Sequence, residues 1–450
     1  MKIYDVAILG SGPGGYVSAI LAAQNGLSVC VIEEKDLGGM CLNWGCIPTK
    51  SFAVSAEAME TVKKSQELGV NIENFSLDYA KVIDRKNKVV GALQMGLKGL
   101  LSSYKIDVIF GKGFIKNNKI IKIKNTEDEI EFKNLIIATG AVPRTIAFSN
   151  IDKNRIAGPR ELLALENKPK KLLIIGGGVI GCEFASIYSS FGTEVTILEK
   201  NDSLLYYMDE SIIKEITRAF KRRKINMIFN QEIQAFTEKN SLDGFDSILL
   251  SAGMASPLIN NPLGELKIEL NERGYIKIDD YCRTNHKNIY AAGDVTGINQ
   301  LAHVAYKHAH TVIYNILGKK EKMDYRVIPN VIFTHPEIAS VGLSELEAKK
   351  LREELLISIF PFSALGRAKT MGENNGFVKI IAKKIDDSIL GVHAVGPHAS
   401  EIIAEAGVCM QNNLKVCDIY NTIHAHPTMS EGLLEAALGI HGKAVHMLRS

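Results

Sequence analysis

At 450 residues the chain exceeds what one hydrophobic core fills, and about three domains of ~150 residues each are expected. Its 46% hydrophobic and 23% charged content is that of an ordinary globular protein, and a net charge of +3 carries no footprint of a nucleic-acid binder. No apolar run approaches the roughly 20 residues that span a membrane, strand-like sequence begins within a few residues of Met1, and seven mostly isolated cysteines fit a reducing compartment, so a cytoplasmic protein is expected.

Residues 3 to 33 read as one βαβ unit: the apolar run IYDVAIL, then GSGPGG, a helical stretch to Asn25, and a second apolar run closing on Glu33. Gly10, Gly12 and Gly15 give a GxGxxG between strand and helix. Such glycines serve a tight turn, backbone approach to a pyrophosphate and close helix–strand packing, and Glu33 is placed to hold a ribose hydroxyl. A dinucleotide site is favoured over a structural turn.

Directly after this unit comes GGMCLNWGCIPTKS, residues 38 to 51, with Cys41, Cys46 and Lys50. Two thiols this close make a redox pair, half a metal site or two buried structural thiols. A zinc site wants a second pair at ligand spacing, whereas Cys30, Cys182, Cys282, Cys409 and Cys417 stand singly. In an ideal helix the Cys41 and Cys46 Cα atoms would lie about 8.5 Å apart, beyond the roughly 7 Å a disulfide tolerates, so a bridge requires a distorted first turn. Gly45 and Pro48 suit that distortion. Spacing alone leaves the redox and structural readings open.

Amphipathic helices are expected around 49 to 68 and 78 to 104, followed by strands ending in NLIIATGAVPR, where Thr139 and Gly140 close an apolar strand as either a ligand contact or a plain turn. A second βαβ unit opens at Lys171 with Gly176, Gly178 and Gly181, and Glu199 ends its second strand. A carboxylate there pairs with a free 2'-hydroxyl and repels a 2'-phosphate, which favours NAD over NADP. Because a dithiol passes electrons to flavin and nicotinamide exchanges only hydride, the first unit, beside the cysteines, should hold FAD and the second NAD.

From Gly274 the chain is expected to return to the first domain, its strand ending at Gly293 and Asp294, a carboxylate able to bond a hydroxylated ligand or simply to make a turn. Beyond Arg326 the short strands and helices describe an α+β domain closing with TIHAHPTMSEGLLEA. His426 and Glu431 there could be a base with its orienting carboxylate; alone, a histidine before a proline reads equally as a turn.

Taken together these residues resemble the flavin disulfide reductase family over Asp5 to about Ala437, most closely its members that oxidise dihydrolipoyl groups. The resemblance rests on GGMCLNWGCIPTK, on GDVTG with Leu301 to His303, on THPEIASVGLSE and on HAHPTMSE. It implies an α/β chain of two Rossmann-like domains and a C-terminal α+β dimerisation domain: residues 1–145 and 273–326 for FAD, 146–272 for NAD and 327–450 for the interface. It implies a Cys41–Cys46 redox disulfide in which Cys41 meets the substrate and Cys46 the flavin. His426 is then the base, Glu431 its orienter, Lys50 and Glu183 a pair beside flavin and nicotinamide, Asp294 a ribityl contact, and Ala302 and His303 further flavin contacts. The implied state is a homodimer, with the base supplied by the other subunit. The implied partners are lipoyl domains of a 2-oxoacid dehydrogenase or glycine cleavage complex, with no metal. A glutathione-type reductase and a non-catalytic flavoprotein adaptor are the competing readings. The chain departs from the family pattern in two places: Met254 and Ala255 replace an arginine-containing GRxPN, and 230 to 247 is short for the strand meander expected there.

Overall fold

The computed structural model describes residues 2–447 apart from 125, 127, 147–154, 240–241 and 259–262. The first sheet has seven strands in the order Asp107–Phe110, Val29–Glu33, Ile3–Leu9, Glu129–Ile137, Ile120–Ile123 and Gly113–Ile115, with Ile289–Ala291 joining the end of Glu129–Ile137. Its central strands are parallel, with Val6 opposite both Val29 and Asn134, and are buried on both faces, as near-continuous apolar runs require. Leu135 pairs with Ile289, so the chain returns to this sheet as the sequence indicated.

Helix α1 (Pro13–Gln24) crosses over the sheet, with proline at its opening where no backbone donor is lost. The cysteine segment forms α2 (Gly39–Asn43) and α3 (Cys46–Lys63). Helix α4 (Tyr79–Ser103) is capped by Asp78, whose side chain accepts from the Lys81 N–H.

A second parallel sheet, five-stranded, centres on Lys171–Ile175, flanked by Glu194–Leu198 and Ser247–Leu250. It carries α5 (Pro159–Leu162), α6 (Val179–Ser190) and α7 (Glu210–Arg222). In the short segment 230 to 247, where a strand meander belongs in the family pattern, the chain instead forms α8 (Ile233–Lys239), with 240–241 outside the described residues. Phe236 and Ile233 from it join the apolar cluster of Leu173, Ile175, Leu198 and Ile248, so this short segment covers one face of the sheet's inner strands.

The C-terminal sheet is wholly antiparallel, in the order Asn330–Ile332, Ile338–Gly342, Ile389–Val395, Phe377–Lys383, Leu355–Pro361, backed by the helices Ala399–Gln411 and Glu431–Ile440. A buried core spans the second sheet, α3 and α4, and reaches Ile332 and Val395 of the third. Among the described residues no helix is long and apolar enough to cross a membrane.

Candidate active site

The first fingerprint folds as its glycines demand. Gly10 sits at φ +93°, and a Cβ on Gly15 would lie 1.9 Å from the Gly10 carbonyl oxygen, so neither position accepts a side chain. The same clash recurs in the second fingerprint, where a Cβ on Gly181 would meet the Gly176 carbonyl at 1.9 Å. Glu33 accepts from the Ser11 N–H at 2.9 Å and the Ser11 hydroxyl at 2.6 Å through one oxygen and from the Lys35 N–H through the other. Glu199 is held likewise by the Gly177 N–H at 2.6 Å and by Asn201. Ser11 lay inside the GxGxxG and was missed as the group that aims Glu33.

A cavity of about 480 Å³ opens beside the first fingerprint. Gly10, Gly12, Glu33, Cys41, Cys46, Thr139, Gly140, Asp294 and Ala302 all line it, bringing together groups spread over 290 residues of sequence. The Asp294 carboxyl has no protein partner among the described residues, and burial pushes it up to about 6. The Thr139 Oγ1 is also buried without a partner. Two unmet polar groups on one wall are what a hydroxylated ligand satisfies. His308, which the sequence did not single out, fixes this wall: its Nδ1 accepts from the Gly293 N–H at 3.1 Å, and Nε2 meets the Tyr325 hydroxyl at 2.7 Å. Burial lowers its imidazole to about 4, so it stays neutral and keeps that acceptor. His303 is not on the wall; its Nε2 meets the Pro329 carbonyl at 2.9 Å.

The expected distortion between the cysteines is a full break. Helix α2 ends at Trp44, Gly45 leaves helical geometry at φ −124° and ψ −110°, and α3 restarts at Cys46. This kink brings the two unbridged thiols into hydrogen-bond contact, with Cys46 exposed toward the cavity. The shared hydrogen bond splits the pair: the Cys41 S–H donates, which together with burial pushes Cys41 up, while that donation and the nearby Lys50 ammonium hold Cys46 below an ordinary thiol.

Lys50, one turn along α3, donates to both Glu183 oxygens at 2.9 Å, and Glu183 also accepts from the Phe333 N–H at 2.9 Å. The pair ties the cysteine helix to α6 and to the edge of the third sheet. His426 Nδ1 lies 2.8 Å from Glu431 Oε1, and Oε2 of the same carboxylate takes the Thr428 N–H. Burial opposes ionisation of Glu431, yet these hydrogen bonds outweigh it and hold the carboxyl low. The neighbouring His424 has both nitrogens engaged, by Thr422 and Glu405, whereas the His426 ring is 77% exposed with Nε2 free. Within one chain His426 is not part of the cavity wall. Among the described residues, no group of three or more His, Cys, Asp or Glu is placed to hold a metal ion.

Residues 4–309 match the family model described as pyridine nucleotide-disulphide oxidoreductase, and residues 328–437 match the dimerisation domain of the same family. The chain belongs to that family. Pyridine nucleotide-disulphide oxidoreductases are flavoprotein enzymes that use FAD and NAD(H), and the dimerisation domain supports a homodimer. The chain is 40% identical to a Chlamydia muridarum dihydrolipoyl dehydrogenase, covering 99% of this chain and 98% of the relative. It is 37% identical to a Bacillus subtilis dihydrolipoyl dehydrogenase, covering 99% and 98%. The crystal structure of LpdA from Mycobacterium tuberculosis superposes with a TM-score of 0.89 at 28% identity, covering 98% of this chain and all of that one. The sites suit the family's cofactors. The unmet Asp294 and Thr139 oxygens and the glycine cradle fit a flavin dinucleotide. A Cβ on Gly178 would meet nothing within 4 Å, leaving the second fingerprint open to close backbone approach.

Proposed function

We propose that this chain is a dihydrolipoyl dehydrogenase that oxidises protein-bound dihydrolipoyl groups with NAD as acceptor. The observation that carries the reading is the dithiol at the helix break: Cys41 and Cys46 both line the cavity, and Lys50, one turn along α3, is paired with Glu183 beside them. The names of its full-length relatives support the same activity.

In the oxidised enzyme Cys41 and Cys46 share a disulfide. His426, brought by the second subunit and oriented through Nδ1 by Glu431, takes a proton from one substrate thiol on its free Nε2. The resulting thiolate attacks Cys41 and releases Cys46 as the thiolate that Lys50 stabilises. The second substrate thiol displaces Cys41 and closes the lipoyl ring, its proton passing to the departing Cys41 sulfur, so two electrons pass from substrate to the cysteine pair. When bound, FAD supplies a two-electron acceptor beside Cys46 and NAD the final hydride acceptor. Gly10, Gly12, Gly15, Glu33, Thr139, Gly140, Asp294 and Ala302 hold the first dinucleotide in this reading. Gly176, Gly178, Gly181 and Glu199 hold the second. His303, whose ring meets the Pro329 carbonyl and which does not line the cavity, is left out of this set.

The reading divides the chain at 1–145, 146–272, 273–326 and 327–450, and places it in the cytoplasm with lipoyl domains of a 2-oxoacid dehydrogenase or glycine cleavage complex as partners. A glutathione-type preference for NADP is opposed by Glu199, whose buried carboxylate repels a 2'-phosphate. Side-by-side rates with lipoamide and glutathione disulfide, each with NADH and NADPH, test the substrate. Faster glutathione reduction with NADPH would overturn it. Cys46→Ser tests the site: lipoamide turnover should vanish while FAD stays bound, and near-normal turnover would remove Cys46 from the mechanism.

A further inference from the structure

Trp44, between the two cysteines, has no part in the thiol chemistry, and neither does Lys86 of α4. Both line a second cavity of about 210 Å³ on the far side of the redox turn. Lys86 is 9% exposed, and its ammonium has one protein acceptor, the Leu163 carbonyl at 3.2 Å. An ammonium carries three donors, and lysine is rarely this buried without a carboxylate partner. Arg160, at the mouth of the same cavity, has its guanidinium 5.8 Å from the centroid of the Trp44 ring and no ion-pair partner among the described residues. The one carboxylate on the wall, Asp36, is exposed, so the lining keeps a positive balance. Asn43 cannot supply the missing acceptor: its amide donates to the Leu37 and Gly39 carbonyls and its oxygen is taken by Gln94.

We propose that Lys86 and Arg160 form a seat for an oxyanion of the phosphate class behind the redox turn, with the Trp44 ring as its wall. Two cations with no carboxylate partner among the described residues, facing one small cavity, are the complement of such a group. Trp44, Asp36 and Arg160 also border the large cavity, so the oxyanion comes either from solution or from the pyrophosphate of the dinucleotide next door.

Trp44 is the single tryptophan of the chain and borders both cavities, so tryptophan emission is read with FAD already bound in the large one. The FAD-loaded enzyme, exchanged into phosphate-free buffer, is titrated with inorganic phosphate at constant ionic strength. Trp44 emission should change saturably, chloride should leave it unchanged, and Arg160→Gln should weaken the response on the order of tenfold, the worth of one charged hydrogen bond. Arg160 is exposed, so this variant tests the seat without the folding risk of Lys86→Met. The second arm is the temperature at which heated enzyme releases fluorescent flavin, read beside circular dichroism. A silent phosphate titration with flavin released at lower temperature from Arg160→Gln, at unchanged unfolding, assigns the seat to the cofactor's pyrophosphate. No phosphate response together with unchanged flavin release overturns the proposal. Neither arm uses lipoamide, so failure here is distinct from failure of the proposed activity.

Discussion

At the scale of single residues the site depends on pairs of groups that orient each other by hydrogen bonds. His426 and Glu431 are one such pair, and His426→Gln should lower lipoamide turnover by about 10²–10⁴. NADH-driven reduction of a dye, which bypasses the thiols, should be retained; equal loss of both would place His426 elsewhere than at the substrate. Asp294 is the opposite case, a carboxyl that burial pushes up to about 6 and that has no partner among the described residues. Its native form binds a proton more readily than the unfolded chain does, so apoprotein stability falls as pH rises from the ordinary carboxyl range to about 6, and the full cost remains above that. Apoprotein Asp294→Asn should then be more stable than wild type at pH 7, by on the order of 1 kcal/mol, with the gap closing as pH falls below 6. The same change should weaken FAD binding. Thermal melts of both apoproteins across pH check the first outcome and flavin titration the second. The cysteines, glycines and Glu33 were legible in sequence because short spacing places them. Ser11 was visible but unread, and His308, Arg160 and Lys86 were not legible, because their partners lie 15 to more than 100 residues away.

At the scale of elements, the break between α2 and α3 is what makes the dithiol. Composition anticipated a distorted turn at Gly45; what it did not show is how tightly the start of α2 is pressed on the first fingerprint. Gly39 has φ +60°, and a Cβ there would lie 2.7 Å from the Gly12 Cα, backbone against backbone. Gly39→Ala has no flexible neighbour to displace, so it should yield protein with depleted flavin, seen as a lower flavin-to-protein absorbance ratio after purification. Full flavin content would mean the two turns can part without loss. Helix boundaries followed the sequence closely where a cap was present, as at Asp78. In 230 to 247 the sequence showed only a segment short for the family's strand meander; that α8 fills it rests on the packing of Ile233 and Phe236 against the sheet.

At the scale of the whole molecule, buried charges lock the three sheets together. Lys50 and Glu183 join the first to the second and, through the Phe333 N–H, to the third. Lys379, 1% exposed on the third sheet, donates to both oxygens of the fully buried Asp209 at the head of α7 and to Glu345 at 2.8 Å. Burial alone would raise the Asp209 carboxyl, but the Glu345 N–H and Lys379 hold it far below its usual range. Lys379→Met leaves that carboxylate uncompensated and should cost about 3–5 kcal/mol, measured by denaturant unfolding. Adding Asp209→Leu should recover most of the loss; failure to recover would mean that the lysine acts through packing. The Lys50–Glu183 pair was anticipated through the family resemblance, whereas nothing in the sequence pointed to the Lys379–Asp209 lock, whose partners are 170 residues apart.

The closing strand of the first sheet, Ile289–Ala291, adds to a strand that ended at Ile137, and all five strands of the second parallel sheet lie between them in sequence. A ribosome making this chain at about 5–20 residues per second therefore needs on the order of ten seconds between the two strands. During that interval the edge of Glu129–Ile137 awaits its neighbour, and the inserted parallel sheet is complete in sequence before the first one is. The order of birth thus reverses the order of reading: the second nucleotide fold can settle as an island, and the flavin cradle, with Asp294 and α9 (Ala302–Ile316) still to emerge, is finished around it.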